Sequence, residues 1–241
     1  MEKIAVVSGK GGVGKTTISL AIAKALAEKH RVGLFDADVT GANTHLQLEI
    51  VKDMDVKSTI KPAIARIDGR EIEYLSIALI SDSYVKWSGK SVGDFIMQLM
   101  DKTDWNVDYL IIDAPPGTHE DAIESIKLSD VVVFVTVPAK FAYLDLQRTV
   151  NLVRDIGKPV AGVFLNLTYV NCDCGRRIEL FDEPFELDLP VIQRLGFGEV
   201  EVDLDSLLYH INNPVEFKRR VVSHEAKRKL VKMVLRAVAR W

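Results

Sequence analysis

The chain has 241 residues, 48% hydrophobic and 27% charged, with a net charge of −3. This is the composition of an ordinary soluble globular protein, long enough for one α/β domain with a full core, and no apolar run approaches the roughly 20 residues that cross a bilayer. Two cysteines one residue apart, Cys172 and Cys174, exclude a disulfide framework and raise metal or redox chemistry instead. Met1-Glu2-Lys3-Ile4 enters the first apolar run at once, leaving no room for a signal peptide, so the cytoplasm is the expected location.

The first expected strand, 3–8, runs into Ser8-Gly9-Lys10-Gly11-Gly12-Val13-Gly14-Lys15-Thr16-Thr17 and then a helical pattern over 15–29. Gly9, Gly14, Lys15 and Thr16 match the phosphate-binding loop, in which a glycine and four residues precede Gly-Lys-Ser/Thr. Glycines let several backbone N–H groups turn inward on phosphate oxygens, and the helix N-terminus adds its dipole. Lys15 is placed to reach the β/γ-phosphates and the Thr16 hydroxyl to ligate Mg²⁺. Gly9, Gly11, Gly12, Val13, Gly14, Lys15, Thr16 and Thr17 are the expected nucleotide contacts. Lys10 is extra to the plain motif.

A strand over 31–36 ends in two carboxylates, Asp36 and Asp38, before an irregular stretch over 43–71 and a strand over 72–78. A helix at 90–103 leads to the strand 109–113, which ends in Asp113 and Ala114-Pro115-Pro116-Gly117-Thr118. An Asp at the end of an apolar strand beside a phosphate loop can hold Mg²⁺ through water. Asp113 takes that role, Asp36 supports the metal shell and Asp38 orients the attacking water, with loop solvation or helix capping as the plainer alternative for the last two. Gly117 offers an N–H to the γ-phosphate, and His119 reads as an exposed loop histidine. A helix at 120–128, a strand at 131–137, a helix at 140–156 and a strand at 160–166 follow. An irregular stretch over 167–190 holds both cysteines, and helices at 203–211 and 214–240 complete the chain, separated by Asn212-Asn213-Pro214. Continuously apolar strands alternating with helices predict a doubly wound α/β fold around a mostly parallel sheet, in one phosphate-loop domain over 1–241.

Lys10 in the loop, Asp36-Ala37-Asp38-Val39-Thr40-Gly41 and Asp113-Ala114-Pro115-Pro116-Gly117-Thr118 together resemble the deviant Walker A ATPases, the group of MinD, ParA, the nitrogenase iron protein and the Mrp/ApbC-type iron–sulfur carriers. Thr136-Val137-Pro138, Leu144-Asp145-Leu146, and Gly162 to Tyr169 leading into Cys172-Asp173-Cys174-Gly175 resemble the Mrp branch in particular. Tyr84 to Lys90, with Trp87, resembles that branch's Trp-Arg-Gly-Pro segment without its Arg and Pro. The resemblance runs from about residue 3 to 225 and implies a homodimer using ATP and Mg²⁺. In it Lys10 reaches the partner's nucleotide, Asp38 promotes hydrolysis and Asn166 recognises adenine, which an amide suits as both donor and acceptor. The segment near Leu195-Gly196-Phe197-Gly198 would face the adenine, though it lacks the branch's Pro.

The branch carries Cys-x-x-Cys where this chain has Cys-x-Cys. Two thiolates cannot complete a [4Fe–4S] cluster, which usually takes four, but two chains about a two-fold axis can. A shared cluster, a shared Zn²⁺ and a pair of inert thiols are the alternatives at Cys172 and Cys174. The implied function is an ATP-hydrolysing carrier that passes clusters to apo-acceptor proteins. Its rivals are a MinD/ParA-like positioning switch on membrane or DNA, and a nucleotide-dependent binding module without turnover. Residues 218–241 hold nine Lys and Arg against one Glu, a charge of +8 that leaves −11 on the rest. Leu230, Met233, Val234, Ala237, Val238 and Trp241 form an apolar stripe beside Lys229, Lys232, Arg236 and Arg240. Packing on the sheet with a solvated basic face is preferred there to membrane contact, and no nucleic-acid partner is expected.

Overall fold

The computed structural model describes residues 1–38, 41, 44–76, 79, 92–181 and 187–217. The apolar runs become strands because their side chains are buried on both faces: Val131 to Thr136 is buried at every position. In chain order the elements are β1 (Glu2–Val7), α1 (Lys15–Leu26), β2 (Val32–Asp36), β3 (Glu49–Lys52), β4 (Asp55–Val56), β5 (Ile60–Lys61), β6 (Ala63–Ile67), β7 (Arg70–Ser76) and α2 (Val92–Lys102). They continue with β8 (Tyr109–Asp113), α3 (Glu120–Leu128), β9 (Val131–Thr136), α4 (Lys140–Ile156), β10 (Val160–Leu165), β11 (Tyr169–Asn171), β12 (Arg177–Glu179), β13 (Val191–Arg194) and α5 (Leu204–Asn212).

Nine strands form one sheet in the order β13-β10-β9-β1-β8-β2-β7-β6-β3. From β13 to β7 every neighbouring pair is parallel. The chain leaves β1 toward β2 on one side and later crosses to β9 on the other. The carboxyl end of β1 is therefore the switch point where such sheets hold ligands. One layer of core joins Ile4, Val6, Ile18, Ile22, Leu26, Val133, Leu207 and Ile211, packing α1 and α5 on one face. The other joins Ala5, Val7, Ile96, Leu99, Ile112, Ile126, Phe134, Leu146 and Val153, packing α2, α3 and α4 on the opposite face. The doubly wound, mostly parallel fold is as expected.

Three expectations need correction. The stretch expected to be irregular over 43–71 holds regular structure in its described part, 44–71: β3 and β6 extend the sheet antiparallel beyond β7. The cause is the Asp68-Gly69 turn between β6 and β7, with φ of 46° and 80°, the left-handed pair that closes a two-residue hairpin. Residues 167–190 hold the antiparallel hairpin β11–β12, and β13 was missed as a short edge strand. Residues 214–217 are not helical, because Val215 exchanges backbone hydrogen bonds with Val160 at 2.7 and 3.0 Å. The rest of the expected C-terminal helix and the Tyr84 to Lys90 segment lie outside the described residues.

Candidate nucleotide site and thiol hairpin

The phosphate loop joins β1 to α1. Gly14 sits at the N-terminus of α1 in the left-handed region, φ 87°, and no side chain caps that helix, which leaves its first N–H groups to serve an anion. A Cβ on Gly14 would lie 2.2 Å from Asn166 Nδ2, so two constraints demand glycine there. Gly9 passes so close to α4 that a Cβ would meet the Asp145 backbone at 2.4 Å. The Ser8 hydroxyl donates to the Lys10 carbonyl at 3.0 Å. The N–H of Gly117, the expected γ-phosphate sensor, is engaged by the Ser8 carbonyl at 3.0 Å.

Asp113 is the centre of the site. Lys15 Nζ donates to its Oδ1 at 2.6 Å, Thr16 Oγ1 to its Oδ2 at 2.7 Å and Ser19 Oγ to its Oδ1 at 2.8 Å. Lys15 is 8% exposed and Asp113 1%. Parallel register puts Asp36 at the end of β2 beside Asp113, and Ser76 at the end of β7 beside Asp36. The Ser76 hydroxyl donates to Asp36 Oδ2 at 3.3 Å. Burial raises the Asp36 pKa above the ordinary carboxylate value, and the negative Asp113 beside it raises it further. Two neighbouring buried carboxylates with a hydroxyl from Thr16 form the oxygen-rich donor set that suits Mg²⁺.

The structure thus brings Lys15, Thr16, Asp36 and Asp113 together. Asp38 lies two residues on, its N–H donating to Asp36 Oδ1 at 3.3 Å and its own Oδ1 accepting from Gly41 N–H at 2.9 Å. Lys10 is exposed on the loop. Asn166 is buried, and its Nδ2 donates to the Val13 carbonyl at 3.0 Å. In this state the amide braces the back of the phosphate loop. Ser19 was missed. Its signal was a hydroxyl one turn after Lys15, on the same face of α1. His119 is exposed and begins α3.

The thiols sit at the tip of the β11–β12 hairpin, Cys172 half-buried and Cys174 exposed. Their sulfurs are 2.9 Å apart. The hydrogen bond with Cys172 holds the Cys174 thiol below its ordinary range, and the Arg176 backbone adds to this. Among the described residues no group of three or more His, Cys, Asp or Glu is placed to hold a metal. The thiol pair therefore has no further ligand from the described part of its own chain.

A family model for the ParA group, described as the NUBPL iron-transfer P-loop NTPase, matches residues 1–228. The chain belongs to this family. An iron–sulfur cluster carrier protein of Rickettsia typhi is 35% identical over 202 residues, 80% of this chain and 62% of that protein. One of Pyrococcus horikoshii is 34% identical over 220 residues, 84% of this chain and 74% of that one. The chain thus spans about 62% of the length of the rickettsial relatives. A nucleotide-binding protein of Archaeoglobus fulgidus, solved with ADP, shares the fold at TM-score 0.65 and 24% identity, over 87% of this chain and 85% of that one. As a P-loop NTPase of the iron-transfer family, the chain brings its phosphate loop, the start of α1 and the ends of β2 and β8 together at one end of the sheet. The Cys-x-Cys pair is the local departure from the resembled Cys-x-x-Cys.

Proposed function

We propose that this chain is an ATP-hydrolysing iron–sulfur cluster carrier that works as a homodimer and passes its cargo to apo-acceptor proteins. The single observation that carries the reading is the convergence of Lys15, Thr16 and Ser19 on Asp113 at the switch point of the sheet, in a chain whose thiol hairpin begins three residues after the Asn166 that braces the same loop. ATP entering the loop competes with Asp113 for Lys15. The lysine moves to the β/γ-phosphates. Thr16 and Asp113, with Asp36 behind them, are the oxygens that would hold Mg²⁺, whose charge would offset that of the phosphates. Backbone N–H groups from Gly11 to Thr17 orient the phosphates, Asp38 orients the attacking water, and Lys10 reaches from the partner's loop to balance charge developing at the leaving oxygens. Asn166 turns its amide from Val13 to the adenine edge.

The cysteines hold the cargo. A half-buried and an exposed thiol with a thiolate-favouring hydrogen bond are suited to ligation and also to release, and a second chain supplies the other two ligands of a [4Fe–4S] cluster. Free thiols of this kind suit the reducing cytoplasm. We read residues 1–241 as one ATPase domain. Among the described residues no helix is long and apolar enough to cross a membrane. The membrane or DNA switch reading rests on 218–241, which lie outside them.

Anaerobic reconstitution with iron and sulfide tests the cargo. The expected result is iron–sulfur absorbance at one cluster per two chains, lost in the double variant Cys172→Ala, Cys174→Ala. Stoichiometric zinc in place of iron, or absorbance that survives the double variant, rejects the reading.

A further inference from the structure

A two-stranded hairpin on its own is at best marginally stable in water, and β11–β12 forms a separate sheet of two strands. Among the contacts that hold it, one carboxylate collects three of the hydrogen bonds. Glu199, in the loop after β13, accepts from Tyr169 Oη at 2.5 Å and from Gly196 N–H at 3.0 Å on Oε2, and from Asn171 Nδ2 at 3.0 Å on Oε1. Tyr169 opens β11 and Asn171 closes it, immediately before Cys172. The Tyr169 ring lies under the Arg177 guanidinium of the facing strand, 3.7 Å from its centroid. The same ring packs so tightly on the loop that a Cβ at Gly196 would meet it at 2.5 Å. Phe197 N–H donates to the Tyr169 carbonyl at 2.6 Å, and Arg194 on β13 pairs with Glu179 on β12 at 3.3 Å. The Tyr169 hydroxyl, and then the Gly196 N–H, hold the Glu199 carboxyl below its ordinary range.

The same loop is tied to the phosphate site. Leu195 N–H donates to the Leu165 carbonyl at 2.8 Å, and the Leu195 carbonyl accepts from both the N–H and the hydroxyl of Thr168 at 2.9 Å. Between Leu165 and Thr168 stands Asn166, on the Val13 carbonyl. A path of hydrogen bonds joined by short covalent links thus runs from the phosphate loop to Asn166, along the chain to Thr168, across to Leu195 and through Gly196 N–H to Glu199, and from Glu199 to both ends of the strand that presents Cys172.

We propose that Glu199 is a positioning residue that couples the nucleotide site to the thiol pair, so that a nucleotide which moves Asn166 or residues 195–198 alters the exposure of Cys172 and Cys174. This rests on the reading of the loop as a nucleotide site, but not on the identity of the cargo. A path of contacts becomes coupling only when both ends bias the same element. Alkylation of the thiols by iodoacetamide reads that directly on the full chain, without a cluster. Saturating ATP and Mg²⁺ should change the wild-type rate by about fivefold or more, the low end of ordinary coupling between sites. In Glu199→Ala the ratio of bound to free rates should fall to one while ATP still binds in a parallel titration. Tyr169→Phe, which keeps the ring under Arg177, should fall part-way. If Glu199→Ala does not fold, Glu199→Gln carries the test, with a ratio reduced toward one. A ratio that persists in the Glu199 variant overturns the proposal, as does an unchanged rate in nucleotide-bound wild type. Failure of the wild type to bind ATP overturns the nucleotide reading as well, and the titration tells the two failures apart.

Discussion

The phosphate end and the thiol end of this chain are built in opposite ways. Asp113, Asp36 and Ser76 are terminal residues of adjacent parallel strands, held in register by the sheet and covered by α1. Lys15, Thr16 and Ser19 lie on the first turns of that one helix, so every group is placed by an element that the hydrophobic core fixes. Cys172 and Cys174 lie on the tip of a hairpin of two three-residue strands, outside the main sheet, anchored by side-chain bonds to Glu199 and a backbone bond from Phe197. A rigid grip suits electrostatic stabilisation of a defined reacting group. A lightly anchored pair of thiols suits a ligand that must arrive and leave.

Five variants sharpen or break that contrast, taken from the largest expected effect. Lys15→Ala should lower ATP hydrolysis by about 100-fold or more, the scale for loss of a charge-stabilising donor, as read by phosphate release. Undiminished turnover would place the chemistry elsewhere. Asp113→Ala leaves a buried lysine and the Thr16 hydroxyl without their acceptor, while Ser19 falls back on the Lys15 carbonyl. Urea unfolding of the nucleotide-free protein should show a loss of about 3–5 kcal/mol, whereas Cys174→Ala, at the exposed tip, should stay within ~0.5 kcal/mol. Equal costs at the two ends would dissolve the distinction.

Asp36→Asn should move stability the other way. A carboxyl whose folded pKa is raised binds its proton more tightly in the folded state. It therefore lowers stability as pH rises from the ordinary carboxylate value through its raised one, and the full penalty is present above that. The variant should unfold at a higher temperature than wild type at neutral pH, by about 2–4 °C for each kcal/mol relieved. The gap should shrink as pH falls toward 4, the ordinary carboxylate value, and Mg²⁺-dependent nucleotide affinity should drop. The smallest effect is at the thiols. The rate of Cys174 alkylation against pH should have its midpoint below the ordinary thiol value of about 8.5 and move upward in Cys172→Ser. A profile indifferent to Cys172 would mean that the sulfurs do not share a proton.

The phosphate site was legible because its signal is local: a glycine-spaced loop between an apolar strand and a helix names Lys15 and Thr16, and apolar strands ending in Asp name Asp36 and Asp113. The partners that hold the site were not, because they are set by register and packing across the sheet. Ser76 meets Asp36 from 40 residues away, and Asn166 meets Val13 across 153. The antiparallel edge was missed although Asp68-Gly69 announced it, since the flanking strands are half-buried and carry no continuous apolar run. The hairpin under the cysteines escaped for a similar reason: β12 is exposed at every position and has no hydrophobic face to read. Glu199 could not be found by spacing at all, because its three donors come from Tyr169, Asn171 and its own loop.

The claim that joins both ends is that ATP at the phosphate loop controls cargo on the thiols. Its most direct test loads the chain anaerobically with iron and sulfide and follows transfer to an apo-ferredoxin acceptor, with and without ATP and Mg²⁺. The account predicts a transfer rate that changes with ATP in the wild type and loses that dependence in both Lys15→Ala and Lys10→Ala. A rate indifferent to ATP in the wild type, or ATP dependence that survives in Lys15→Ala, would contradict it.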